Sequence, residues 1–355
     1  MKRLAPSILL YSLLLFCACE SVIDYNDGSD AGPVLVDLDI SVALSDVSDA
    51  LTRVDADAAN DNEKMHTLRV IIVRPDWTVE ANRLIDHLKA AATLQHEEKE
   101  PFRVVSNERK MIYLFVNEDT EVVSETGTKR KLLDCDLNAI RVGQYFPINY
   151  METLTLRLEG GTEQITGPLP MSEKHSVEVD VRKTQSCSLF VTRAAVKFTF
   201  RIINKSSNPI NLNGLTIDKM AREEWYMPRA KYGAGDTKKM EITEYEVPAG
   251  VGYYTYGEAQ FAEAVTVNAN GERVLDPIYL LEGKYTNDPD GKGHNYSMMI
   301  RVNNIQKKHY FPELNTLPRN THVVVNITFN KDATVTCETD VIPYSEVLLD
   351  PDFGL

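Results

Sequence analysis

Cysteine is scarce in this chain: there are five in 355 residues, and two of them, Cys17 and Cys19, lie close together near the start. The other three, Cys135, Cys187 and Cys337, match no zinc-ligand spacing, and an odd number cannot all pair within one chain. Cys187 and Cys337 sit in strand-like alternation and read as small buried hydrophobes, a single disulfide being the other option. Catalytic signatures are absent as well. The seven histidines are scattered and form no HExxH or HxH pair, and there is no GxSxG elbow, phosphate loop or dinucleotide fingerprint. No catalytic residue, metal ligand or cofactor site is therefore assigned, and the chain reads as a non-enzyme. Basic excess is lacking too. A formal charge of -14 disfavours nucleic acid, whose phosphates need clustered Lys and Arg. After the first residues no apolar run is long enough to span a bilayer.

What is present begins with a basic start, Met1-Lys2-Arg3, and a short apolar run from Ile8 to Phe16. Charge, then a brief apolar stretch, then small residues is the form of a secretory signal. The run closes on Phe16-Cys17-Ala18-Cys19, which resembles a bacterial lipobox, with Cys19 as the lipidated residue because small Ala18 precedes it. The alternative is an ordinary signal peptide with two incidental cysteines. Residues 1–18 are thus expected to be removed. Residues 19–33, acidic and glycine-containing, read as a flexible tether to a lipid anchor in the outer membrane.

The folded part opens on a two-residue alternation. Val34, Val36, Leu38, Ile40, Val42 and Leu44 share one face, with Asp37, Asp39 and Ser41 on the other. That pattern is a half-buried strand. An acidic, small-residue stretch follows through Arg53 and Val54 to Asp61 and reads as an accessible loop. Strands are expected at 66–73, 110–117, 151–158 and 176–181. Asp76 to Leu94, with Val79, Leu84, Ile85, Leu88 and Ala92 near helical spacing and Asp76 as N-cap, predicts one helix. His96 to Glu100 would be its solvated end. A new series of strands starts around residues 189–203, placing a domain boundary near Arg193. Further strands are expected at 210–217, 239–247, 251–256, 277–282, 296–302 and 322–329, separated by turn signals such as Asn270-Gly271 and Asp290-Gly291. Pro343 marks an edge position or a break in the last alternating segment. The expected fold is all-β with minor helix: two tandem β-sandwich domains of transthyretin-like, Greek-key type, at 34–193 and 194–355.

Taken in order along the chain, these features resemble the type V pilins, the fimbrillin superfamily of Bacteroidetes. The resemblance is carried by the lipobox at Cys19, the strand ending at Thr52-Arg53 and the strands Leu68 to Val73 and Tyr113 to Asn117. It is carried also by the turn Leu169 to Ser172, the segment Val191 to Lys197, the segment Arg319 to Val325 and the ending Val341 to Val347. It implies a fimbrial subunit that is exported as a lipoprotein and supports adhesion. An arginine-specific surface protease would cut the Arg53–Val54 bond. The strand of Val34 to Leu44 would then leave, and a C-terminal segment of another fimbrial subunit, mapping here onto Val341, Tyr344, Val347 and Leu349, would take its place. An uncleaved anchor subunit of the same family keeps both strand and lipid.

Two rival readings stay open on the residues alone. Trp225, Tyr226 and Tyr253 to Tyr256 would line a sugar-stacking groove in a surface glycan-binding lipoprotein, although alternating aromatics in a strand are more often cross-strand packing. A secreted hydrolase would need two facing carboxylates in a cleft. The Asn287 to Gly291 cluster misses the ligand positions of a calcium loop and reads as a hairpin turn.

Overall fold

The computed structural model describes residues 34–44, 60–124, 126–232, 242–285, 295–303, 305–311, 316–332 and 334–343. Eleven strands occupy the first part of the chain: β1 (Leu35–Leu44), β2 (Leu68–Val73), β3 (Val79–Ile85), β4 (Gln95–Glu97), β5 (Phe102–Val105), β6 (Glu108–Val116), β7 (Glu121–Val123), β8 (Lys129–Lys131), β9 (Thr155–Arg157), β10 (Met171–Val179) and β11 (Thr184–Arg193). Eight of them form one sheet in the order β3-β2-β6-β10-β11-β1-β4, with β5 also paired to β1. Runs such as Leu68–Val73 are buried at every position, which needs packing on both faces of the sheet.

Thirteen strands follow: β12 (Val196–Asn204), β13 (Ile210–Ala221), β14 (Glu223–Trp225), β15 (Ala230–Tyr232), β16 (Ile242–Tyr245), β17 (Tyr253–Glu258), β18 (Val265–Val267), β19 (Glu272–Val274), β20 (Ile278–Leu280), β21 (Ser297–Val302), β22 (Ile305–Tyr310), β23 (Thr321–Phe329) and β24 (Val335–Pro343). Two five-stranded sheets result, β19-β12-β23-β24 with β20 on β12, and β17-β13-β21-β22 with β18 on β13. Alternate residues of β12 and β23 (Val196, Phe198, Phe200 and Ile202; Val323, Val325 and Ile327) are buried between them. The fold is all-β and sandwich-type. Asn270 takes φ 54° in the turn before β19, as an Asn-Gly turn requires. Asp290-Gly291 and the Asn287 cluster lie outside the described residues. Pro343 closes β24, which is an edge strand, so its missing N–H costs the ladder little.

The expected helix over Asp76 to Leu94 is not there. Its first part is β3, hairpin-paired to β2, and only His87–Ala90 form a short 3-10 turn. Asp76 does accept a bond from a backbone N–H, that of Thr78 at 3.0 Å, but it does so in the hairpin turn, where Trp77 takes φ 65°. The backbone groups of 79–85 find partners on β2, and that ladder overrides a loose helical spacing. His96 to Glu100 is accordingly no helix end, since Gln95–Glu97 pair with β1. Residues 151–158 likewise hold the last residue of a four-residue helix (Ile148–Met151) and the short β9 rather than one strand.

The passage from β11 to β12 takes only Ala194 and Ala195, both fully buried. Polar groups of distant segments meet around it. Arg193 donates to the Glu63 carbonyl at 3.1 Å and to Asn320 Oδ1 at 3.2 Å. Lys197 and the Tyr279 hydroxyl both reach Glu63 Oε1 at 2.6 Å. Arg319 is fully buried against Glu282 at 2.6 Å and Glu224 at 3.6 Å, and donates to the Trp225 and Tyr226 carbonyls. Buried charges need this degree of pairing.

Candidate strand-exchange site

The alternation of β1 has a definite consequence. Val36, Leu38, Ile40, Val42 and Leu44 are each at most 2% exposed, while Asp37, Asp39 and Ser41 on the other face are half-buried. Burying an aliphatic side chain stabilises by about 1.5–3 kcal/mol. Five together match the whole net stability of an ordinary domain, about 5–15 kcal/mol. The half that contains β1 thus depends on it. Val34, grouped with that face from the sequence, is 53% exposed and precedes the strand; only its carbonyl is used, accepting from Ser106 N at 2.8 Å.

Where β1 sits is more informative than what it buries. On one side it runs parallel to β11, from Asp37 opposite Thr184 to Leu44 opposite Val191. On the other it meets two short antiparallel strands, β5 along Leu35 to Leu38 and β4 along Ser41 to Ala43. It is therefore an inserted strand with both ladders occupied. Without it, β11 on one wall and β4 with β5 on the other would present unpaired backbone groups across an apolar floor. A parallel neighbour cannot be joined to β1 by a tight turn. The chain passes from Leu44 to β11 only through the rest of this half.

Cys187 lies on β11 opposite Ile40, half-buried, and Ser41 donates to its carbonyl at 3.4 Å. Burial, with Asp39 nearby, pushes the thiol up to about 12, so it is neutral at ordinary pH and a poor nucleophile. Cys135, Cys187 and Cys337 are all unpaired thiols.

At the other end of the chain, Val341 stands in β24 opposite Val323. Tyr344, Val347 and Leu349 lie outside the described residues, as do Cys19, Arg53 and Val54. The structure thus describes the strand of Val36 to Leu44 and the start of the C-terminal segment, and does not bring the two together. The flanking strands β4 and β5 carry little local signal, because they span only three and four residues, and β4 (Gln95–Glu97) is wholly polar. The charged run around His96 was the only available signal.

The aromatic groove is not formed. Tyr226, Tyr254 and Tyr256 are buried, and Tyr253 donates its hydroxyl to the Lys284 carbonyl at 2.8 Å. The Trp225 ring is covered by the Arg229 guanidinium at 3.8 Å. Packing within the fold accounts for these rings: Tyr254 and Tyr256 pair across to β13, and Tyr226 lies against Phe115. Among the described residues no group of three or more His, Cys, Asp or Glu is placed to hold a metal ion, and no helix is long and apolar enough to cross a membrane.

Solved structures share this architecture along nearly their whole length. A protein assigned to cell adhesion from Parabacteroides distasonis superposes with a TM-score of 0.53 at 12% identity, covering 89% of this chain and 99% of that one. The tip fimbrial protein Mfa3 of Porphyromonas gingivalis gives 0.51 at 9% identity, covering 87% and 100%. The chain has the fold of fimbrial and cell-adhesion proteins. A further protein assigned to cell adhesion, from Bacteroides eggerthii, gives 0.50 at 11% identity, covering 87% and 96%. No family model and no curated protein matches the sequence. The shared fold accords with the resemblance to the fimbrillin superfamily, and at these identities it speaks to fold alone.

Proposed function

We propose that this chain is a structural subunit of a cell-surface fimbria, exported as a lipoprotein and polymerised by exchange of its first strand. The observation that carries the reading is β1: a ten-residue aliphatic strand held on both sides by hydrogen-bonded neighbours. Its sequence continues into the acidic, small-residue stretch that contains Arg53. Cutting Arg53–Val54 would free β1 of its only downstream covalent tie. The vacated cleft would bind an extended apolar strand through both ladders, as in strand addition generally. The donor is the C-terminal segment of a neighbouring subunit, Val341 to Leu349, with Val341 at the end of β24 and Tyr344, Val347 and Leu349 beyond it. The partners are thus other fimbrial subunits, an arginine-specific surface protease and, through Cys19, the outer membrane.

Intact mass and N-terminal sequencing of protein recovered from the cell surface test this reading. High-molecular-weight material that begins at Val54, and its loss in Arg53→Ala, is the expected result. An uncut monomer with lipid on Cys19 would overturn polymerisation and leave an anchor subunit.

A further inference from the structure

The large apolar side chains that remain exposed are not evenly spread. Val142, Tyr145 and Tyr150 are 60%, 66% and 50% exposed and fall within nine positions of one another. Both tyrosines line a cleft of about 400 Å³, together with Ile140, Asp136, Arg141 and Gln144. That size lies within the range of small-molecule sites, about 300–1,000 Å³.

The loop that carries them is held stiffly. Asn82 donates to the carbonyls of Leu137 and Ile140 at 2.9 and 2.7 Å. Arg69, in a two-pronged pair with Glu118, also donates to Asn138 Oδ1 at 2.8 Å. Gly143 takes φ 81° in the turn from Arg141 to Gln144, a conformation that glycine adopts without strain. The Tyr150 hydroxyl donates to the Asp134 carbonyl at 3.2 Å. Exposed rings on a braced loop lose little freedom when a ligand arrives, which is what a preformed site requires.

The chemistry of the cleft narrows the occupant. An added strand is disfavoured beside the cleft, because the start of the outer edge of β3 and the turn before it are already taken: Val79 N donates to the Gln144 carbonyl, Gly143 N to the Val79 carbonyl and Phe146 N to the Trp77 carbonyl. A polyanion would find a single cation, Arg141, on a chain of net charge -14. What remains is two flat apolar rings beside a guanidinium and an amide, whose side chains have no protein partner among the described residues. A carboxylate, Asp136, stands with them, one of its oxygens accepting from Asn138 N. Rings to stack on, donors and an acceptor together suit a ligand with an apolar C–H face and a rim of hydroxyls. We propose that this cleft binds a pyranose residue of a glycan. The site is separate from β1 and does not depend on polymerisation.

The test uses the whole chain on an array of immobilised oligosaccharides ending in neutral hexoses, N-acetylhexosamines or uronic acids. Binding to one class is expected, weakened about tenfold or more by Tyr145→Ala and by Tyr150→Ala and kept by Tyr145→Phe, which retains the ring. Thermal unfolding of the alanine variants separates lost binding from lost folding. Arg53→Ala is expected to bind like the unaltered chain, so failure of the fimbrial reading leaves this result untouched. Absence of binding to every sugar, or binding unchanged in both folded alanine variants, would overturn the proposal.

Discussion

The two parts of the molecule begin alike. β1 lies parallel to β11, the last strand of its half, and β12 lies parallel to β23, a late strand of the other. Each is flanked on the far side by two short antiparallel strands in the same arrangement. The front of β1 pairs with β5 and its rear with β4; the front of β12 pairs with β20 and its rear with β19. They differ in how they are fixed. β12 follows β11 after two buried alanines, next to the polar cluster of Arg193, Lys197 and Glu63, and carries Phe198 and Phe200. β1 is wholly aliphatic on its buried face, and among the described residues no buried ion pair involves it. One topology thus holds one first strand by a short buried connection and ionic ties, and the other chiefly by burial and its ladders. On the proposed reading, the second is the strand that is exchanged for another of similar pattern.

The largest effect expected from this difference is loss of the monomer when β1 is removed. A chain that starts at Val54 lacks five buried aliphatic side chains and is expected to self-associate on size-exclusion chromatography. Adding a peptide of residues 34–44 should restore a monomer that unfolds cooperatively. A trimmed chain that stays monomeric with an unchanged Tm would break the comparison.

Point substitutions sharpen it. Phe200→Ala in β12 should cost about 3–5 kcal/mol and Ile40→Ala in β1 about 2–5 kcal/mol, each read from denaturant unfolding of the uncut protein. In assembled, processed material the Phe200 effect should persist and the Ile40 effect vanish, because that strand has left. Equal effects in both states would mean that β1 stays.

Smaller still is a dependence on acid. His322 on β23, beside β12, is held down to about 4 by burial and by nearby Lys197. Its ordinary value is near 6.5, so between these limits the unfolded chain binds the proton and the folded one does not. The stability linked to this group is therefore full above about pH 6.5 and is lost as pH falls towards 4. Melting curves across that window should show the loss, and His322→Gln should flatten it.

How much of this was legible in the sequence follows from the range of the interactions involved. The alternation of β1 and the passage near Arg193 are local patterns; β11 ends at Arg193 and β12 begins at Val196. The parallel partner of β1 lies well over a hundred residues away, and no local pattern encodes it. Asp76 to Leu94 misled because a hairpin supplied what a helix would have. The tyrosines among residues 253–256 are dense in sequence yet largely buried, whereas Tyr145 and Tyr150, ordinary in their surroundings, are exposed. Exposure is a property of the packed fold and cannot be read from composition.

The finest test lies beneath the strand itself. Cys187 faces Ile40 across the parallel ladder, its thiol pushed up to about 12 by burial. Cys337 on β24 is raised to about 11 by burial alone and lies in the half that keeps its first strand. Alkylation by iodoacetamide at pH 8 reads thiolate content and access together. In the uncut protein both thiols should react slowly. Once β1 departs, Cys187 should speed up until another strand fills the cleft, while Cys337 keeps its rate. Faster reaction at both positions would mean that cleavage loosens the whole molecule; no change at Cys187 would mean that β1 never left.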